Sequence, residues 1–210
     1  MTPQTKRGER TTEEILAAAR EHLAESGPDG FSLREVARRV GLSPSALYNH
    51  FENREALINA LAFECVQLLG AYFAPTRAAV TASERLRELG AAYLRFAAEE
   101  PVRYRLVFDM LESPVANWDH YVAVAYPFTA LVEAVESGLA TGEFTDRAGR
   151  SASGIAFGMW ALVHGSVMLR AHHLAHVSID LDALCMTAID DYLAGLHKEQ
   201  PAEPKKRGTR

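Results

Sequence analysis

With 210 residues, 48% of them hydrophobic and 23% charged, the chain is long enough to bury a core and too apolar to be a disordered polymer. A net charge of −5 excludes nucleic-acid binding through bulk positive charge, so any such contact must rest on where the basic residues sit. Cys65 and Cys185, the two cysteines, stand far apart with no paired spacing, which excludes a disulfide framework and a zinc module and leaves two buried packing thiols.

Met1–Arg10 is polar and lacks the apolar segment of a secretory signal, so a cytoplasmic location is expected. Residues 1–10 hold Lys6, Arg7 and Arg10. From there on, apolar residues recur at three- and four-residue spacings with no sustained strand alternation, which predicts an all-α fold. A first helix is expected over about residues 12–25, stopped by Ser26-Gly27-Pro28-Asp29-Gly30. A second follows Ser32, with Leu33, Val36, Ala37 and Val40 on one face, until Gly41-Leu42-Ser43 interrupts it. Ser43 can cap a short third helix that has Pro44 in its first position, where the missing amide costs nothing. Asn53 caps a longer helix striped by Leu57, Leu61, Cys65 and Leu68, which ends around Pro75. Thr11–Glu14, Ser32–Glu35 and Thr81–Glu84 each place a hydroxyl three residues before a glutamate and predict three reciprocal capping boxes.

Further helices are predicted at 83–99, 101–112, 117–137 with a kink or division at Pro127, 148–174 and 180–197. Leu181, Leu184, Cys185, Ala188, Ile189, Tyr192 and Leu196 give the last of these a broad apolar face. Two such apolar helices in succession predict a homodimer interface, assigned to Met168, Leu169, Leu184, Ala188, Ile189 and Tyr192. The uncharged run Ser151–Leu169 is long enough for a membrane span, but its serines, glycines and His164 dilute it, and no membrane is expected. Residues 198–210, rich in Pro, Lys and Glu, read as a disordered tail. Residues 61–197 carry 9 basic against 16 acidic side chains, so contact with DNA belongs to the N-terminal part.

The most informative run is Ser32 to Phe51. A helix-turn-helix needs an apolar face on its supporting helix, a turn residue tolerant of positive φ and a short second helix with few anchors. Ala37 permits a close crossing, Gly41 makes the turn, and Leu47 with Phe51 anchor the third helix, leaving Ser45, Tyr48 and Asn49 outward. With its Leu47-Tyr48 pair followed by His50-Phe51, the segment resembles the DNA-binding domain of the tetracycline-repressor (TetR) family, closely over about residues 10–60 and in layout over the whole length. The resemblance implies a three-helix DNA-binding domain at 11–56, a helical-bundle ligand-binding and dimerisation domain at 57–197, and a dimer on palindromic operator DNA. It also implies phosphate contacts by Tyr48 and His50, base-edge approach by Ser43, Ser45, Ala46 and Asn49, and a phosphate contact by Arg54 where the family usually has lysine. Lys6, Arg7 and Arg10 take the place of the family's flexible arm. Arg34, Arg38 and Arg39 add charge from the supporting helix, and their facing keeps at least one from DNA. No lysine or arginine lies between Gly41 and Asn53, so specificity leans on Asn49, Ser45, Ala46 and DNA shape.

Trp160-Ala161-Leu162-Val163-His164-Gly165 resembles the Trp-His-Gly motif of one class of TetR C-terminal domain, and Trp160 and His164 share a helix face as an aromatic wall beside a polar group. Tyr93, Phe96, Phe108, Trp118, Tyr121, Tyr126, Met159 and Val163 join them as candidate walls of the cavity that the resemblance implies, each with an ordinary core role as the alternative. His172 and His176 have helical metal-ligand spacing, but the pattern is incomplete and no metal or cofactor is expected. The reading is a non-enzymatic repressor released from its operator by a small hydrophobic effector. A ligand-dependent activator, a small-molecule carrier and a hydrolase are the alternatives.

Overall fold

The computed structural model describes residues 3–27, 29–109, 126–145 and 149–197. Its elements are α1 (Pro3–Ser26), α2 (Leu33–Arg39), α3 (Pro44–Leu47), α4 (Arg54–Phe73) with a 3-10 extension (Ala74–Ala78), α5 (Ala82–Glu99), α6 (Pro101–Asp109), α7 (Tyr126–Thr141), α8 (Ala152–His172) and α9 (Leu181–Ala194). The fold is all-α, and among the described residues the only strand-like pairing is one bridge between Phe144 and His197. The expected tail at 198–210 lies outside the described residues.

The first helix starts nine residues earlier than its capping pattern suggested, so the backbone of the expected flexible arm is helical from Pro3 onward. Proline suits a first turn, and Gln4, Lys6, Arg7, Glu9 and Arg10 favour helix, with β-branched Thr5 and Gly8 against them, the glycine at about 1 kcal/mol. Thr11 therefore lies inside a helix and is not a cap. Of the three capping boxes, Thr81–Glu84 forms completely: Thr81 Oγ1 accepts the Glu84 amide and Glu84 accepts the Thr81 amide, each at 3.1 Å. The Ser32 box does not form, because the Ser32 side chain caps nothing and Glu35 is engaged by Arg38 and Arg39. Elsewhere the caps are as the side chains predict. Ser43 accepts the Ala46 amide, Asn53 that of Ala56 and Ser151 that of Gly154. In α7, Pro127 occupies the first turn of the described helix, where no amide is needed.

By packing, the chain divides into two units: Met1–Pro75 with Ala92–Pro127, and Thr76–Ala91 with Phe128–Arg210. In the first unit Ile15, Ala19 and Leu23 of α1, Val36 and Ala37 of α2, Leu47, Phe51, the Leu57, Ile58, Leu61, Ala62 and Cys65 face of α4, and Leu106 of α6 share one core. Packing thus carries this unit beyond residue 56, since α4 and α6 complete the core of the first three helices. The buried stripe of α4 continues through Leu69 rather than Leu68. Burial pushes the Cys65 thiol up to about 12, which suits a packing role rather than a reactive one.

In the second unit α8 and α9 pack along their lengths, and α5 approaches them at Gly90. A Cβ there would lie 2.7 Å from Ile189 Cδ1 and 3.2 Å from Met159 Cε, so glycine is what admits this contact. The Tyr192 hydroxyl donates to the Ile155 carbonyl at 2.8 Å and ties α9 to α8. At the N-terminus of α5, Glu143 accepts the amides of Ala82 at 2.8 Å and Ser83 at 2.9 Å. Burial pushes the Glu143 carboxyl up, but the hydrogen bonds from Ser83 and Ala82 outweigh it and hold the group below the usual glutamate range. Its contribution to stability is therefore present at neutral pH and is lost as pH falls through that lowered value. Glu143→Gln should melt below wild type at neutral pH, with the gap closing in acid, as thermal unfolding at a series of pH values would show.

By length and hydropathy alone, Arg54–Ala78 and Ala152–His172 could each cross a membrane. Each presents one face to a core, however: Leu57, Leu61 and Cys65 in the first, Ile155, Met159 and Val163 in the second. That is the pattern of helices packed on protein.

Candidate functional site

The α2–turn–α3 segment is fixed by local chemistry. Gly41 adopts φ +67°, the left-handed region that favours glycine, and the Leu42 amide then donates back to the Ala37 carbonyl at 2.9 Å. Ser43 Oγ accepts the Ala46 amide at 3.1 Å and exchanges a hydrogen bond with Ser45 Oγ at 2.9 Å. Beyond Leu47 the helical pattern continues through Phe51 N–H to Leu47 C=O at 3.1 Å, which carries the turn Tyr48–His50 along with the helix. Leu47 and Phe51 are buried, whereas Ser43, Ser45, Tyr48 and Asn49 are exposed and Ala46 is half-buried. The structure thus presents one small polar surface with an exposed phenol at 50%.

The remaining candidates have more particular surroundings. His50 is half-buried, and its Nδ1 shares a hydrogen bond with Thr12 Oγ1 at 3.1 Å, so α1 orients the ring. Arg34 and Arg54 are exposed, with Arg54 at the first turn of α4. Arg38 pairs with Glu35 at 2.6 Å, and Arg39 is held between Glu25 and Glu35. The Arg38 and Arg39 guanidinium groups hold the Glu35 carboxyl down to about 2, and Arg39 likewise lowers Glu25. Arg39 is therefore a strut between α1 and α2, and Arg38 reaches an anion only by leaving Glu35. For Lys6, Arg7 and Arg10 the structure gives the helical backbone.

The aromatic candidates fall into two clusters, one in each unit. In the first, Tyr93 and Phe96 of α5 are buried, and Tyr93 meets Phe108 of α6 at 6.0 Å between centroids. Phe96 stands edge-on to Tyr72 at 5.5 Å. Tyr104, which the sequence reading passed over, joins this cluster: its ring lies 4.7 Å from that of Phe108, and its hydroxyl is 3.3 Å from that of Tyr93. The i, i+4 spacing of Tyr104 and Phe108 was the available clue. Trp118, Tyr121 and the Tyr126 side chain lie outside the described residues.

In the second unit Trp160 meets His164 at 5.5 Å and is flanked by Phe128 at 5.9 Å and Phe157 at 6.1 Å. Met159 and Val163 lie on the adjoining face of α8, buried where Gly90 and Ile189 approach. The pairs Trp160–His164 and Met159–Val163 thus occupy different faces of one helix.

Of the expected interface residues, Leu169 and Leu184 are exposed at 49% and 53%, and Phe157 joins them at 47%. Met168, Ala188 and Tyr192 are half-buried. Ile189 is a correction: it is 0% exposed, enclosed where α5 meets α8 and α9 within its own chain, and cannot meet a partner. His172, His173 and His176 are all exposed, and among the described residues no three potential metal ligands gather.

Residues 15–61 match the model of bacterial regulatory proteins of the tetR family, and residues 86–192 match that of the tetracyclin repressor-like C-terminal domain. The tetracycline repressor protein class A from transposon 1721 of Escherichia coli is 46% identical over 48 residues, 23% of this chain and 22% of that protein. The match to this curated relative thus spans under a quarter of its length. Among solved structures, a protein of unknown function from Rhodococcus sp. RHA1 superposes with a TM-score of 0.73 at 29% identity, covering 89% of this chain and 95% of that one. The transcriptional regulator FadR from Bacillus subtilis, in complex with stearoyl-CoA, superposes at 0.64 with 19% identity, covering 88% and 99%.

Proposed function

Because the chain belongs to the tetR family of bacterial regulatory proteins, we propose that it is a homodimeric cytoplasmic repressor that binds palindromic operator DNA and is released by a small hydrophobic effector. The observation that carries this reading is the exposed Ser45–Tyr48–Asn49 surface held on buried Leu47 and Phe51 behind the Gly41 turn. Inserted in a major groove, Asn49 offers the amide that pairs bidentately with adenine, the Ser45 hydroxyl can donate to a base acceptor, and Ala46 can meet a thymine methyl. Tyr48, His50, Arg34 and Arg54 lie where phosphates set the register, with Lys6, Arg7 and Arg10 extending the contact along α1.

Each aromatic cluster by itself, Tyr93–Tyr104–Phe108 in the first unit and Trp160–His164–Phe128 in the second, offers a wall with few polar groups, which suits an uncharged, largely apolar effector body. The stearoyl-CoA held by the Bacillus subtilis regulator of like fold combines such a body, its acyl chain, with a charged coenzyme A group. Effector binding releases the operator only to the extent that it favours a conformation whose α3 helices no longer match the half-sites. The exposed Leu169 and Leu184 serve the homodimer. No catalytic step is assigned to any residue.

Fluorescence anisotropy on DNA from upstream of the protein's own gene, against scrambled DNA at two salt concentrations, tests this reading. Wild type should prefer the upstream fragment and weaken with salt, and Tyr48→Ala should bind roughly tenfold less tightly. Equal binding to both fragments, followed by a selection from random DNA that enriches no palindrome, would refute it.

A further inference from the structure

The start of α2 is held by a side chain from α1. His22 is 7% exposed and stacks on Phe31, with centroids 5.6 Å apart and 27° between the planes. Its Nε2 accepts the Ser32 backbone amide at 3.1 Å. In a capping box that amide goes to the glutamate three residues on, here Glu35. Glu35 instead grips Arg38 and Arg39. His22 therefore does from the neighbouring helix what Glu35 does not do from within α2. A ring nitrogen that accepts a hydrogen bond carries no proton, so the imidazole here is neutral, with its proton on Nδ1.

We propose that His22 is a positioning residue for DNA binding: as a neutral acceptor it fixes the start of the supporting helix, and its protonation weakens the hold on operator DNA. A proton on Nε2 would set two donors against each other, loosening the start of α2 and the presentation of α3 that follows from it. This rests on the reading of the segment as a DNA-binding helix-turn-helix.

The charged side chains nearest in the chain to His22 and Ser32 are Arg20, Glu21 and Glu25 of α1, Asp29 in the following loop, and Arg34, Glu35, Arg38 and Arg39 of α2. Glu25 is engaged by Arg39 and Asp29 by Arg105 of α6, at 2.9 Å for the latter. The N-terminus of α2 adds a partial positive charge that opposes a cation. Protonation thus gives the ring a charge without giving the Ser32 amide a new acceptor.

The test compares full-length wild type, His22→Gln and His22→Leu on a palindrome selected from random DNA with the wild-type protein. Glutamine can place its Oε1 where Nε2 stands, and it takes no proton. On acidification over the range in which circular dichroism shows the fold intact, wild-type affinity should fall roughly tenfold, and His22→Gln should fall markedly less. His22→Leu, with no acceptor, should bind weakly throughout. His50 is present in all three, so the comparison isolates His22. In the free proteins, the Ser32 amide should lose protection from exchange, relative to its intrinsic rate, on acidification of wild type but not of His22→Gln. Equal pH slopes in wild type and His22→Gln would overturn the proposal. If the exchange result holds but no palindrome is enriched, the proposal falls through its premise, the DNA-binding reading, and not through the geometry of His22.

Discussion

Leu169→Glu combined with Leu184→Glu should leave a folded chain that is monomeric and no longer holds operator DNA. Both side chains are about half exposed in the single chain, so their own fold loses little: surface substitutions of this kind usually cost within about 0.5 kcal/mol. In the proposed dimer the same positions face a second copy, and a two-fold axis doubles every change. Each glutamate would place an unpaired charge in an apolar contact, with like charges opposing across it, at a cost of several kcal/mol per buried ion. A monomer engages one half-site at a time and forfeits the gain of joining two, about 10²–10⁴ in affinity. Sedimentation velocity gives the mass, circular dichroism the fold and anisotropy the binding. A double variant that sediments as a dimer would place the interface on another face.

Leu47→Ala should abolish operator binding while leaving the dimer in place. The third helix has four residues, and its inner side rests on Leu47, 1% exposed, and Phe51, 8% exposed. Truncating a fully buried leucine costs about 2–5 kcal/mol. A helix this short has little stability of its own to offset that loss. Since Leu47 belongs to the core that joins α1, α2 and α4, the damage extends to the geometry of the reading surface. Anisotropy with analytical ultracentrifugation checks both halves of this expectation, and binding within about threefold of wild type would mean that α3 is anchored elsewhere.

What could be read from the sequence is what neighbouring residues decide. Gly41 in a positive-φ turn, Ser43 before Pro44 and Asn53 before α4 each act within a few residues, and each stands as expected. Where a distant group competes, the local pattern misleads. Ser32 and Glu35 had the spacing of a capping box, but Arg38 and Arg39 claim the carboxylate and His22 takes the amide from ten residues away. Thr11 had the pattern of a helix start, yet good helix formers precede it and the helix continues through them.

An apolar stripe names a buried face without naming what buries it. Ile189 and Leu184 lie on the same helix, yet a glycine almost a hundred residues away admits Ile189 into the core while Leu184 is left outside. Likewise, aromatic content pointed to the neighbourhood of Trp160 and His164, but not to Phe128 and Phe157 beside them, nor to the pairing of Tyr93 with Tyr104.

A regulator inspecting a chromosome spends most encounters on the wrong sequence, detained there by counterion release and not by base contacts. Two of the three arginines of the supporting helix are already answered by Glu25 and Glu35, and no lysine or arginine lies between Gly41 and Asn53. In the proposed complex Arg38 and Arg39 therefore add little to that hold, which falls to Lys6, Arg7, Arg10, Arg34 and Arg54. Base contacts then have that much less non-specific binding to outweigh. If the chain binds DNA as proposed, the carboxylates that brace α2 also lower its hold on every sequence it must leave.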